Sequence, residues 1–261
     1  LAGSVLVEGA IVLAGPGEPL GGFLAAYIGM ELGLKVSGKT KVDILVTPFV
    51  CIVSGCTVGL LIGPSISSFM TWLGSLINWG TEQAPFIMGI VVSVLMGIIL
   101  TLPISSAALG VILGLSGLAA GAATVGCCAN MVGFAVASYR DNKVNGLLAQ
   151  GLGTSMLQIG NIVKKPVIWL PAIITSAILG PVSTMVFKMT NNATGSGMGT
   201  AGLVGQINTY QDMVGAGADP TMVLIKIVVL HIVLPAILAL VISEIMRKKE
   251  IISIGDMKLD V

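Results

Sequence analysis

The chain has 261 residues, 55% of them hydrophobic and only 10% charged, with a formal net charge of +1 and a mean hydropathy of +1.01. Soluble domains carry about 25% charged residues and need a wetted surface, so a water-soluble globule is excluded. A net charge this small also leaves little to neutralise phosphates, which excludes nucleic acid as the expected partner.

Charge is absent from residues 44–81, 83–139, 144–163, 166–187 and 227–243. Most of these runs reach the roughly 20 residues that a helix needs to cross about 30 Å of hydrocarbon. They lack the strict alternation of a barrel strand. The fold class expected is an all-α integral membrane protein, a multi-span bundle set in membrane lipid.

Residues 1–14 are apolar apart from Glu8, and the chain begins inside this run without Met, so a preceding portion is expected. "AGPGEP" (14–19) breaks any helix with two prolines and two glycines. A short apolar segment (20–30) leads to the basic loop "KVSGKTK" (35–41). Excess Lys and Arg mark the cytoplasmic side, which places 35–41, "YRDNK" (139–143) and "RKK" (247–249) there together.

Residues 44–62 read as a span. Gly55, Gly59 and Gly63 recur every four residues and lay bare backbone on one face, where another helix can approach closely. In residues 64–80, Ile66, Phe69, Met70, Leu73, Leu76 and Ile77 share one helical face. Ser67, Ser68, Thr71, Ser75 and Asn78 share the other, with Trp72 and Trp79 suited to the headgroup zone. This pattern predicts a separate amphipathic helix in the interface plane.

Residues 85–102 cross back and break at "TLPISSAALG" (101–110). The Gly- and Ala-rich stretch 107–138 reads as two crossings, with Gly110, Gly114, Gly117 and Gly121 as a second packing stripe. Residues 146–161 are apolar but broken, and 166–187 span. "TNNATGSGMGTAGLVGQINTYQ" (190–211) is too polar and glycine-rich to face lipid. Irregular backbone of this kind is tolerated at depth only where it lines a cavity. Residues 221–245 form the last span, and 247–261 a cytoplasmic tail.

Three polar interruptions stand out, at 101–106, 154–161 and 195–206. Such breaks are how transporters present backbone groups to a polar solute, although three ordinary extramembrane loops would read the same way. Lys164 and Lys165 lie between the second break and the next span. They either face its cavity or anchor the helix end as topology charges. His231, inside the last span, has no acid one turn away. It is either a relay or a histidine bonded to nearby backbone, and Lys226 is placed to snorkel. Cys51, Cys56, Cys127 and Cys128 sit in apolar runs with no zinc spacing and read as small hydrophobes. No metal cluster, nucleotide loop or Ser-His-Asp arrangement appears, so no cofactor is expected.

In order along the chain, "GGFLAAYIG" (21–29), "PFVCIVSGCTVGLLIGPSISSFMTWL" (48–73), "LPISSAALG" (102–110), "GTSMLQIGNIVKKPVIWL" (153–170) and "GSGMGTAGL" (195–203) resemble the membrane-spanning EIIC subunits of phosphotransferase-system sugar permeases. The likeness is to the fructose-like branch and its divergent members, including regulators of the perfringolysin-regulator type. The resemblance implies one EIIC-like transmembrane domain over 1–261 in a bacterial cytoplasmic membrane. It also implies a homodimer, a sugar as the solute, and soluble phosphotransferase components as partners.

Residue by residue, the resemblance puts Ser105 and Ser106 where the family has an Asn-Lys pair, Met156 where it has a Glu, and Thr200 where it has a His. Ser105, Ser106, Gln158, Asn161, Thr200, Lys164 and Lys165 are then the expected solute-binding residues. General-base help needs a titratable group within reach, and Met, Ser and Thr supply none near neutral pH. No catalysis by this chain itself is expected. The expected function is a permease for a small polar solute with a degenerate phosphotransferase site. The alternatives are a membrane regulator that kept the fold without phosphorylation, or an ion pore, with Lys164 and Lys165 serving an anion or Glu8 and Glu18 a cation.

Overall fold

A computed structural model describes residues 4–7, 10–13 and 19–259. Two short strands, β1 (Ser4–Val7) and β2 (Ala10–Leu13), pair antiparallel. Their Val, Ile and Leu content favours extended backbone. Every other element is helical. Glu8, Glu18 and most of the expected helix break at 14–19 lie outside the described residues. The chain divides into two compact units, Leu1–Leu73 and Gly74–Val261.

In the first unit, α1 (Pro19–Val36) and the start of α2 (Asp43–Gln83) form a helical hairpin. Its seam is made of small residues. Gly21 faces Gly63, Ala25 faces Gly55 and Gly59, Gly29 faces Cys51 and Gly55, and Gly33 faces Cys51. Gly21, Ala25, Gly29 and Gly33 are the buried residues of α1 among those described, one every four positions. The stripe expected at Gly55, Gly59 and Gly63 is therefore a close helix contact, and the facing partner is α1.

The expected break before a separate helix at 64–80 is absent. α2 runs through Pro48 and Pro64 as one helix of 41 residues. A proline inside a helix removes a single N–H bond, and neighbouring groups can satisfy the freed carbonyl. At 1.5 Å per residue this helix is about 60 Å long, twice the hydrocarbon thickness.

In the second unit α5 (Gly117–Ala137) is central. α3 (Pro85–Thr101), α8 (Leu170–Pro181) and α12 (Leu234–Lys248) pack around it. Its sequence, "GLAAGAATVGCCANMVGFAVA", is small on every side, so neighbours can approach from all directions. A Cβ at Gly126 would lie 1.9 Å from the Ser93 carbonyl oxygen of α3. Within α5 only Gly117, Leu118 and Val136 are not buried.

Among the described residues four helices are long and apolar enough to cross a membrane, Asp43–Gln83, Gly117–Ala137, Pro166–Phe187 and Pro220–Lys248, with Pro85–Thr101 a shorter apolar one. The two crossings expected in 107–138 reduce to one. α4 (Ser106–Ile112) is only 7 residues, and the chain turns between it and α5 because Gly114 and Gly117 take positive φ of 56° and 54°. These two glycines are turn residues rather than members of a packing stripe. Asn78, near the end of α2, fastens this turn by donating to the Gly114 carbonyl and accepting from the Ser116 N–H.

α6 (Tyr139–Leu148) and the end of α12 meet at one end of the bundle. Arg140 pairs with Glu244 at 2.7 Å, and Arg247 with the fully buried Asp141 side chain at 3.2 Å. Two of the three basic segments assigned to one membrane face are thus in direct contact.

Candidate functional site

Between α6 and α8 the chain never settles into one regular helix. A π turn (Ala149–Gly153), a single 3₁₀ turn (Ser155–Gln158) and the short α7 (Ile159–Lys164) lead to Pro166, which opens the next helical stretch. Thr154 is extended and caps the 3₁₀ turn by accepting from the Met156 N–H at 3.1 Å. Glycines and a Thr-Ser pair compete with helix here, because hydroxyls offer the backbone an alternative partner.

The second irregular segment follows the π turn Val182–Phe187. It contains α9 (Ala193–Ser196), left-handed Lys188, Gly199, Gly202 and Leu203, and then α10 (Val204–Gly215). It lies against the middle of the central span. Asn191 donates to the Thr124 hydroxyl at 2.7 Å, and a Cβ at Gly199 would meet Cys127 and Cys128 within 3.0 Å. Irregular, glycine-rich backbone thus reaches about halfway along a 21-residue spanning helix. Several of its polar groups are satisfied inside the protein, since Asn192 caps Gly195 and Thr190 donates to Asp212 at 2.7 Å, while the buried Gln206 oxygen has no partner among the described residues.

Ser106 and Thr200 both join this segment to its neighbours. Ser106 donates to the Gly197 carbonyl at 2.6 Å, and Thr200 donates to the carbonyl of Gly151 in the π turn. Ser105 is exposed and caps α4 by accepting from the Ala108 N–H. Gln158 is fully buried. Its amide donates to Gln150 and to the Met257 carbonyl, each at 3.0 Å, and its oxygen accepts from Asn161. Asn161 also donates to the Lys258 carbonyl at 2.9 Å.

Of the predicted residues, Thr200 and Gln158 bond the 149–153 turn directly. Ser106 reaches the glycine-rich segment from α4, Asn161 shares with Gln158 a network that includes residues 257–258, and Ser105 is not brought to them. Lys165 pairs with Asp256 at 2.6 Å, while Lys164 is exposed and has no polar partner among the described residues. Met156 is half-buried.

Sequence reasoning missed a polar spine in the core. Asn130, buried in α5, donates to the Gly126 carbonyl and the Ser176 hydroxyl, and accepts from the Trp169 indole at 2.9 Å and from Thr101. Thr101 in turn shares a 2.8 Å hydrogen bond with Ser155, at the start of the first break. A single Asn inside "CCANMVGF" leaves no periodic signal.

His231 sits in a π turn, Val228–Val233, between α11 (Pro220–Ile227) and α12 in the last span. Neither ring nitrogen has a partner among the described residues, so of the two readings the backbone bond is not made there. Lys226 donates to the Phe187 carbonyl at 3.0 Å. Cys127 and Cys128 are buried free thiols. Among the described residues no three His, Cys, Asp or Glu side chains converge as a metal site requires.

Chemically, this arrangement offers hydroxyls, carboxamides and backbone carbonyls, and its charged groups Asp212, Lys165 and Asp256 are held in side-chain bonds at its edges. It can hold a neutral polar molecule by hydrogen bonds. A family model described as phosphotransferase system, EIIC, matches residues 1–259. No curated protein and no solved structure matches.

Proposed function

The chain belongs to the phosphotransferase-system EIIC family, and we propose that it binds a small neutral solute, a sugar by its family, where the two irregular segments meet the 149–153 turn. The observation that carries this reading is the depth of the glycine-rich segment, packed against Thr124, Cys127 and Cys128 in the middle of a spanning helix. Polar backbone is stable at such depth only where it is enclosed in protein or lines a polar cavity. Gln158, Asn161, Ser105, Ser106 and Thr200 supply hydrogen bonds, with Lys164 and Lys165 at the rim. The solute passes unmodified, because Met156, Ser106 and Thr200 carry no proton that can be moved near neutral pH. The protein acts as a homodimer in a bacterial cytoplasmic membrane, with residues 35–41 and 247–249 on the cytoplasmic side.

The test is direct binding of radiolabelled D-fructose and D-glucose to the protein in lipid nanodiscs. A hydrogen bond to a neutral solute is worth about 0.5–1.5 kcal/mol. Gln158→Ala is therefore expected to weaken binding by about three- to tenfold while the melting profile stays cooperative. Absence of binding for both sugars, or an unchanged affinity in the variant, would reject the site. The half-buried Met156 at the family's acidic position favours a second reading, a regulator that binds the sugar without carrying it. Vesicle uptake of the bound sugar separates the two.

A further inference from the structure

The segment after α12, read from the sequence as a cytoplasmic tail, is bonded closely to the bundle. Glu250 and Gly255 take positive φ of 58° and 97° and fold it back onto the helices. The Met257 side chain is fully buried and Ile252 nearly so. They lie in one apolar cluster with Phe134, Ile162, Ile168 and Met246. The backbone is bonded along its length. Gly255 donates to Asp141 at 2.8 Å, Leu259 donates to Asn142 at 2.7 Å, and Asn142 donates to the Met257 carbonyl at 2.7 Å. Asp256 accepts from the Ser253 N–H and from Lys165, each at 2.6 Å.

The partners on the other side matter most. A carboxamide has two N–H donors. Gln158 gives one to Gln150 and one to the Met257 carbonyl, and Asn161 gives one to Gln158 and one to the Lys258 carbonyl. All four donors are taken, two of them by this segment. A sugar hydroxyl can accept from Gln158 or Asn161 only in place of one of the present acceptors, and the two segment carbonyls are the ones that can leave without unfolding the 149–164 turns.

We infer that residues 251–259 form a strap whose docking competes with the solute for Gln158 and Asn161. When the strap is docked the site is closed, and when it lifts the two carboxamides become free. This inference rests on the solute site proposed above and adds its regulation. Lys165 takes a defined place in it as the cation on the binding segment that holds the strap through Asp256.

A protein whose competent state is only partly populated shows a weakened apparent affinity, and shifting the balance removes that penalty. Asp256→Ala removes the ion pair and the Ser253 bond but leaves Gln158 and Asn161 intact. Hydrogen exchange without sugar is expected to rise in 251–259 and in 154–162 together. Binding of D-fructose or D-glucose, whichever binds the unaltered protein, is expected to tighten by roughly three- to tenfold. Gly255→Pro, which denies the strap its positive φ and its bond to Asp141, is expected to do the same. Unchanged or weaker binding in both variants would overturn the competition while leaving the solute site standing. Exchange that rises in the strap while 154–162 stays protected would also overturn it. If neither sugar binds the unaltered protein or the variants, the solute site itself is rejected and the competition with it.

Discussion

The hairpin of α1 and α2 and the bundle around α5 both close their helix contacts with small residues, but to different depths. In the 18-residue apolar window of α2 only 6% of residues are buried, against 94% in that of α5. The hairpin uses one stripe at four-residue spacing, and its polar side chains stay local. Thr47 bonds Asp43, Ser54 bonds the Val50 carbonyl, and Thr57 the Val53 carbonyl, all within α2. The bundle is small all round its central helix and adds a polar spine through Asn130. One stripe is enough to pair two helices in lipid. Enclosing irregular polar backbone at depth takes a helix that can be approached from every side. That difference is why the irregular segments proposed to hold the solute lie in the bundle rather than in the hairpin.

The largest effect expected from this contrast comes from a leucine at a matched glycine in each region. At Gly126 a Cβ meets the backbone of Ser93 at 1.9 Å, whereas at Gly59 it meets only the Ala25 Cβ at 3.6 Å. Backbone cannot step aside without parting α3 from α5, so Gly126→Leu should abolish recovery of folded protein. Gly59→Leu should cost about 1–3 kcal/mol, the usual range for overpacking a helix contact, and lower the detergent melting temperature while the protein stays monodisperse. Equal tolerance of both changes would show that α5 is not the packing centre.

The spine gives the next effect. An average hydrogen bond in a membrane protein is worth only about 0.6 kcal/mol, because the unfolded chain also finds partners. Asn130 makes four, and its loss also leaves the N–H of the half-buried Trp169 without its acceptor. Asn130→Leu should therefore cost about 2–3 kcal/mol in a denaturant titration. The same exchange at Asn78, which fastens a turn near the surface, should cost less. A spine variant as stable as the parent would reduce the bundle to the same stripe packing as the hairpin.

The hairpin was largely legible in the sequence, because Gly55, Gly59 and Gly63 sit at a fixed period and hydropathy marks each span. Chain breaks and long-range polar partners were not. Gly114 and Gly117 have a stripe's spacing but act as turn residues, since a left-handed φ is invisible in composition. Gln158 and Asn161 were picked out as polar residues in an apolar setting, but their partners are backbone carbonyls 99 and 97 positions away. Backbone carbonyls are the same in every residue, so no pattern in residues 247–261 announces them. Asn130 was missed for the opposite reason. One polar residue among apolar ones contributes to no period, and only the packed core shows that it has four partners.

The smallest effect separates the strap from the rest of the bundle by pH. Burial in the turn pushes the Asp256 carboxyl up. The hydrogen bonds from Lys165 and the Ser253 N–H, and the charges of Lys165 and Arg247, outweigh it and hold the group below the usual carboxylate range. A carboxyl whose folded value is depressed stabilises the folded form above its unfolded value, near 3.9, and that stabilisation is lost as pH falls through the folded value. The strap should therefore remain docked from about pH 5 to 8 and loosen only below about pH 4. A fluorophore on a cysteine placed at exposed Ile254 would report it, the remaining cysteines having been replaced. The Asp256→Ala strap should show no such transition. Loosening between pH 5 and 8 in the parent would assign the hold to a group other than Asp256. A transition that is acid-induced but unchanged in Asp256→Ala would point to another carboxylate, with Asp141, bonded to Gly255 in the same strap, the next to test.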